Sequence, residues 1–155
     1  MPVLNLTPRA IPIVCVEVIT GLNHLTLAVS DLDRSVAFYS ELLGFSIRMR
    51  GPSSAYLEAG TFWLALIRDT NARDGPSAEY SHVGLSVASS ELPLLAKKLM
   101  GMGVRSWQES DSGESFYFLD PDGHKLELHS GNLRRRLAAR AALSEPGVVF
   151  YDLAR

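Results

Sequence analysis

The chain is short of cysteine. Among its 155 residues only Cys15 carries a thiol, so no disulfide can form within it, and a reducing compartment, the cytoplasm, is the expected setting. An excess of positive charge is also missing. Fifteen lysines and arginines stand against 17 aspartates and glutamates, for a net charge of −2. That argues against a protein built to neutralise nucleic-acid phosphates. Long apolar runs are absent too: Ile11 to Ile19 contains Glu17 and is too short to span a bilayer. It lacks a strong basic lead and a convincing small-residue cleavage site, so neither a signal peptide nor a membrane partner is expected. A local metal motif of the HExxH kind is lacking as well. What remains is an ordinary globular composition, 46% hydrophobic, enough for one domain with a core or two small modules sharing one.

The most organised stretch is Gly21 to Phe45, GLNHLTLAVSDLDRSVAFYSELLGF. Asn23, Leu25, Leu27 and Val29 alternate with His24, Thr26 and Ala28, the two faces of a strand. Asp31 or Ser30 can cap a helix that carries Leu32, Val36, Tyr39 and Leu43 at helical spacing, with Gly44 as its stop. Strands are expected at Phe45–Arg50, Ala55–Ala59 and Thr61–Arg68, separated by the turn residues of Gly51–Ser54 and by Gly60. A polar linker, Asn71 to Ala78, follows.

The order then repeats. Tyr80 to Val87 reads as a strand, with Tyr80, His82 and Ser86 on one face. Ser89 or Ser90 caps a helix bearing Leu92, Leu95, Leu99 and Met102. Strands follow at Val104–Gln108, Ser115–Leu119 and His124–His129, the last two joined by the turn Asp120-Pro121-Asp122-Gly123. Each half is strand, helix, three strands, with a period of roughly 60 residues, and neither half can bury both faces of its sheet alone. The expected architecture is therefore α+β, two paired βαβββ modules over residues 21–70 and 79–130. A helix from Asn132 to Leu143 closes the domain (21–143), with Leu133 and Leu137 turned inward. Residues 1–20 form an N-terminal extension and 144–155 a tail.

Strand parity brings polar residues to equivalent places. His24 and His82 occupy matching positions in the two halves. Glu127, between Leu126 and Leu128, faces away from both, and a carboxylate there is costly unless paired or bound to a cation. Two imidazoles and a carboxylate would leave open positions on a divalent first-row metal. The competing reading is two separately satisfied histidines and an arginine-paired Glu127. His124 and His129 read as structural or surface residues. Of the run Arg134, Arg135 and Arg136, only one can point with the leucines, and Arg136 could reach inward toward an anion.

These segments resemble the glyoxalase / vicinal-oxygen-chelate superfamily. More narrowly, GLNHLTLAV, AFYSELLGF, FYFLDPDGHKLELH and GNLRRRLA resemble the glutathione-dependent fosfomycin resistance proteins of the FosA type, over about Val18 to Ala142. The resemblance implies an epoxide-opening thiol transferase, a homodimer, with Mn²⁺ held by His24, His82 and Glu127. Thr26 would lie beside the carbon under attack, and Tyr56 would help ionise the thiol. Tyr117, Arg136 and Ser112 would hold the phosphonate, and Trp63 and Tyr80 would wall the pocket. The loop with Ser110, Gly113 and Ser115 resembles one that binds K⁺, although it is one residue shorter.

The departures are as specific. Gln108 stands where the family has a phosphonate-holding lysine, a charge-assisted contact worth about 1.5–3 kcal/mol. Gly51, Ser53 and Ile67 replace polar or aromatic residues of the glutathione channel. Ser54 replaces the glutamate base of the epoxide-hydrolysing relatives, and Thr26 the cysteine of the bacillithiol users. Two rival functions share this outline. An extradiol-type dioxygenase would place Fe²⁺ on the same triad, and a metal-free drug-binding resistance protein would lack it.

Overall fold

The computed structural model describes residues 19–110 and 113–151. The apolar run with Cys15, most of the expected N-terminal extension, and Ser112 lie outside the described residues. In the first half, β1 (His24–Val29) leads into α1 (Leu32–Ala37), followed by β2 (Ser46–Arg50), β3 (Ser54–Ala59) and β4 (Phe62–Arg68). In the second half, β5 (Val83–Ser86) leads into α2 (Leu92–Gly101), β6 (Ser115–Leu119) and β7 (Lys125–His129). The helix α3 (Leu133–Ala142) closes the order.

The two halves share one wiring. In the first sheet the order is β1-β4-β3-β2, with β1 parallel to β4. In the second it is β5-β7-β6, with β5 parallel to β7. The segment expected as a fourth strand, Val104–Gln108, is a correction. Among the described residues its backbone pairs with β6 only through a bridge between Gln108 and Tyr117 and one bond from Leu119 N to Arg105 O. Ser106 Oγ donates to the Gln108 carbonyl at 2.9 Å, a local turn that competes with the ladder. The strand expected from Tyr80 starts later, at Val83, so Tyr80 and His82 precede β5.

Strand alternation works as the sequence implies. Leu27 and Val29 are buried while His24 and Thr26 are exposed. The core gathers Leu57, Leu64 and Leu66 of the first sheet, Phe118, Leu126 and Leu128 of the second, and Val36, Tyr39, Leu92 and Leu99 of the helices. Asp31 caps α1 by accepting from Arg34 N. The helix then widens into a π-helical stretch, Phe38–Leu42. Ser40 Oγ bonds back to the Val36 carbonyl at 2.7 Å, and the wide turn lets neighbouring Phe38 and Tyr39 both face inward. The cap expected at Ser89 or Ser90 falls at Glu91, without a side-chain bond.

The Asp-Pro-Asp-Gly turn does more than reverse the chain. Asp122 accepts from Ser30 N (3.0 Å), Ser30 Oγ (2.5 Å), Arg34 (3.0 Å) and Ser35 Oγ (3.1 Å). Asp120 accepts from the Tyr39 hydroxyl at 2.9 Å, and His124 Nε2 meets the Ala28 carbonyl at 2.9 Å. A turn of the second module thus clamps the start of α1 in the first. Gly123 sits at φ +87°, and a Cβ there would lie 2.4 Å from Gly75 C, so only glycine fits this turn.

The expectation for α3 is overturned. Leu133 is 73% exposed, Leu137 only half-buried, and no residue of the helix is buried. Asn132 caps it by accepting from Arg135 N at 2.9 Å, so the helix starts as the sequence implies. Among the described residues, its leucines are left exposed or only partly covered.

Candidate functional site

Two polar clusters form, one on each sheet. On the first, His24 of β1 pairs in register with Trp63 of β4, and Thr26 with Ala65, which in turn pairs with Tyr56 of β3. These side chains therefore share one face. The His24 ring lies 4.4 Å from the Trp63 ring, and Tyr56 stands edge-on to Trp63 at 5.1 Å. Nδ1 of His24 contacts Asn23 Oδ1 at 2.8 Å. Trp63 Nε1 is buried with no hydrogen-bond partner among the described residues.

On the second sheet, His82 Nε2 lies 2.9 Å from Glu127 Oε2. His82 Nδ1 is 3.2 Å from the Tyr80 carbonyl, which can only accept, so Nδ1 carries a proton. Glu127 is 7% exposed, and its Oε1 accepts from Ser115 Oγ at 2.5 Å. Burial pushes the Glu127 carboxyl up, but the Ser115 and His82 hydrogen bonds and the nearby histidine charge outweigh it and hold the pKa below the usual value. Tyr117 pairs with Glu127 across β6 and β7. Its hydroxyl is pushed above the ordinary tyrosine range by burial and, against the Ser115 hydrogen bond, by the Glu127 charge.

Aromatic rings wall this second cluster. Trp107 anchors its Nε1 on the Leu126 carbonyl at 3.1 Å and stands edge-on to Tyr117 and Tyr80. Gln108 Nε2 donates to the Tyr80 hydroxyl at 3.1 Å. A cavity of about 350 Å³ joins Glu127 and His129 to Gly84, Ser86, Gly131 and Arg136. Among the described residues no carboxylate pairs with Arg136, whereas Arg135 pairs with Glu114 and Arg140 with Glu145. In the loop before β6, Ser110 Oγ is buried with no hydrogen-bond partner among the described residues, and Gly113 takes φ +67°.

The residues named from the sequence thus fall into two half-sites. His24, Thr26, Tyr56 and Trp63 share the first sheet. His82, Glu127, Tyr80, Gln108, Tyr117 and Arg136 gather on the second. Among the described residues of one chain, no group of three His, Cys, Asp or Glu side chains could hold a metal. The His82–Glu127 pair nevertheless suits one: two donors about 2.1 Å from an ion and at right angles stand about 3.0 Å apart. His129, read from the sequence as a structural or surface residue, stands beside Glu127 and Ser115. It lies two residues beyond Glu127 on the same face of β7, and that parity was the signal available.

The geometry can be set beside known proteins. Residues 21–128 match the model of the Glyoxalase/Bleomycin resistance protein/Dioxygenase superfamily. The chain is 47% identical over 133 residues to the glutathione transferase FosA of Serratia marcescens, covering 84% of this chain and 94% of that protein. It is 36% identical to the metallothiol transferase FosB of Lysinibacillus sphaericus, over 77% of this chain and 88% of that one. A crystal structure of the fosfomycin resistance protein FosX from Listeria monocytogenes, complexed with Mn(II) and sulfate, superposes with a TM-score of 0.68. Its identity is 25%, over 79% of this chain and 98% of that one. With its two βαβ-wired sheets and its resemblance to FosA and FosB, the chain belongs to the glyoxalase/bleomycin resistance protein/dioxygenase superfamily, among the fosfomycin-resistance thiol transferases.

Proposed function

We propose that the chain opens the epoxide of fosfomycin, or of a similarly small phosphonate, with a thiol from a reducing cytoplasm, glutathione first. The observation that carries this is the His82–Glu127 pair, 2.9 Å apart, beside a cavity lined by Arg136, whose charge no described carboxylate neutralises. An anionic group and a cation-seeking pair fit together there, and the relatives named above are a glutathione transferase, a metallothiol transferase and a fosfomycin resistance protein.

The site is completed by a second copy. Among the described residues the two half-sites form no three-ligand cluster, β1 and β5 both lie at sheet edges, and no residue of α3 is buried. The metal would then be held by His82 and Glu127 of one chain and by His24 of the partner subunit. A divalent ion such as Mn²⁺ supplies Lewis acidity at the oxirane oxygen when bound. The chain's own residues do the rest. Arg136 fixes the phosphonate with its fork of donors. Tyr117, kept protonated by burial and by Glu127, donates to a phosphonate oxygen. Trp63 and Tyr80 exclude water on two sides.

Tyr56 takes a hydrogen bond from the incoming thiol and steers its sulfur toward the carbon beside Thr26. The S–H bond gives up its proton to solvent, a sulfur–carbon bond forms as the oxirane C–O bond breaks, the C–O electron pair stays on oxygen, and a proton taken back from solvent completes the hydroxyl. A monovalent cation such as K⁺ belongs to this reading at the 110–115 loop, supported by the unpartnered Ser110 hydroxyl.

³¹P NMR of fosfomycin with the protein, Mn²⁺ and a panel of thiols tests the reading. The expected result is a thiol-dependent product resonance, fastest with glutathione. A drug resonance unchanged with every thiol would overturn it.

A further inference from the structure

We infer that His129 and Ser115 form a relay that sets Glu127 as a metal ligand, with His129 a positioning residue that never touches the ion. The inference rests on the metal reading above. The two oxygens of Glu127 are treated differently. Oε2 faces His82 Nε2 at 2.9 Å, on the side where a shared ion would sit. Oε1 accepts from Ser115 Oγ at 2.5 Å. Since Ser115 spends its one proton on Glu127, its oxygen accepts from His129 Nδ1, 2.9 Å away. The same Nδ1 lies 3.2 Å from Oε1. The order is therefore His129 N–H to Ser115 O–H to Glu127 carboxylate, all reaching the carboxylate from the side opposite His82.

The surroundings fix the ring in this pose. Ser115 is 7% exposed, and it pairs with His129 across β6 and β7. Gly131 has no left-handed backbone to require glycine, yet a Cβ there would lie 2.6 Å from His129 Nε2. Space for the imidazole is the reason for glycine at that position. Without the relay, a carboxylate with one oxygen loose can rotate away from the ion, and outer partners of this kind are worth about 10–100-fold in metal affinity. Ser115, matched by resemblance to the K⁺ loop, thus turns its hydroxyl to Glu127 instead.

Mn²⁺ titration of the metal-free full-length protein, followed by electron paramagnetic resonance, tests the relay. His129→Leu removes the donor at similar size, and His129→Asn keeps an N–H near the place of Nδ1. We expect affinity to fall about 10–100-fold in His129→Leu and in Ser115→Ala, and most of it to return in His129→Asn. The double variant His129→Leu, Ser115→Ala should lose no more than either alone, because both cut one chain of bonds. Thermal melts confirm folding, and Ser115→Ala carries the test should His129→Leu not fold. Unchanged affinity in His129→Leu and Ser115→Ala, or equal loss in His129→Leu and His129→Asn, would overturn the relay. Glu127→Ala separates the two levels: if it leaves Mn²⁺ affinity untouched, the metal reading falls and the relay with it. If it abolishes binding while the relay variants bind normally, only the relay falls.

Discussion

Gln108 shows how a single side chain tunes the pocket. It sits at the bridge to Tyr117 with its amide on the Tyr80 hydroxyl, so it would stand beside the proposed phosphonate site as a neutral group where a lysine would bring a charge. An amide can hydrogen-bond a phosphonate oxygen but cannot neutralise it. Gln108→Lys is therefore expected to lower KM for fosfomycin, about tenfold for each 1.4 kcal/mol recovered, with kcat little changed. Steady-state kinetics at fixed glutathione decide it. A lysine variant with unaltered KM would show that Arg136 and its neighbours already saturate the charge of the substrate.

At the scale of elements, the clamp between the Asp120–Gly123 turn and the start of α1 is the feature with the largest predicted effect on stability. Asp122 is buried and takes four hydrogen bonds, one from Arg34. Asp122→Ala should cost about 2–4 kcal/mol, since several donors lose their partner at once. Urea titration at pH 7 measures it, and a loss under about 0.5 kcal/mol, the size of an ordinary surface change, would contradict the clamp.

The pH dependence follows from signs. Burial pushes Asp122 up, but the Ser30 and Ser35 hydrogen bonds and the Arg34 charge outweigh it and hold the carboxyl below its ordinary value. Its contribution is thus full above that ordinary value, near 4, and is lost as pH falls through the lower native one. Asp120 runs the other way. Burial raises it above its ordinary value, so it takes up its proton first in the native state and adds stability as pH falls toward 4. Unfolding free energies of the wild type and Asp122→Asn should converge as pH falls below about 4. A constant gap would contradict the assignment.

How much of this was legible varies element by element. His24 and Thr26 opposite Leu27 and Val29 were readable because strand period is fixed by covalent geometry. The turn at Asp120–Gly123 was readable as a turn, because its residues favour that backbone. Its grip on Ser30, Arg34 and Ser35 was not, since a sequence gives no partner 87 or more residues away. Val104–Gln108 looked like a strand, yet Ser106 folds it locally. The inward face of α3 was misjudged because helical spacing shows which residues share a face but not whether the described fold covers it, and Leu133 is left 73% exposed at the rim of the Glu127 cavity.

At the scale of the whole molecule, the division of the site is the central claim. Parity told which face His24 and Glu127 occupy, but not that they belong to separate sheets and that, among the described residues, they form no three-ligand cluster with His82. On the proposed reading, a second copy would set the partner's first sheet against this chain's second sheet and by symmetry make two equal sites. Complementation tests this most directly. His24→Ala and His82→Ala proteins, each expected to be inactive, are unfolded, mixed in equal amounts and refolded together. If sites are shared between chains, each mixed dimer holds one doubly damaged site and one intact site. Half the dimers are mixed, so activity and tight Mn²⁺ binding should return to about a quarter of the wild-type level. If each site is built within one chain, no mixture can restore it, and a refolded mixture as inactive as its two parents would contradict the account.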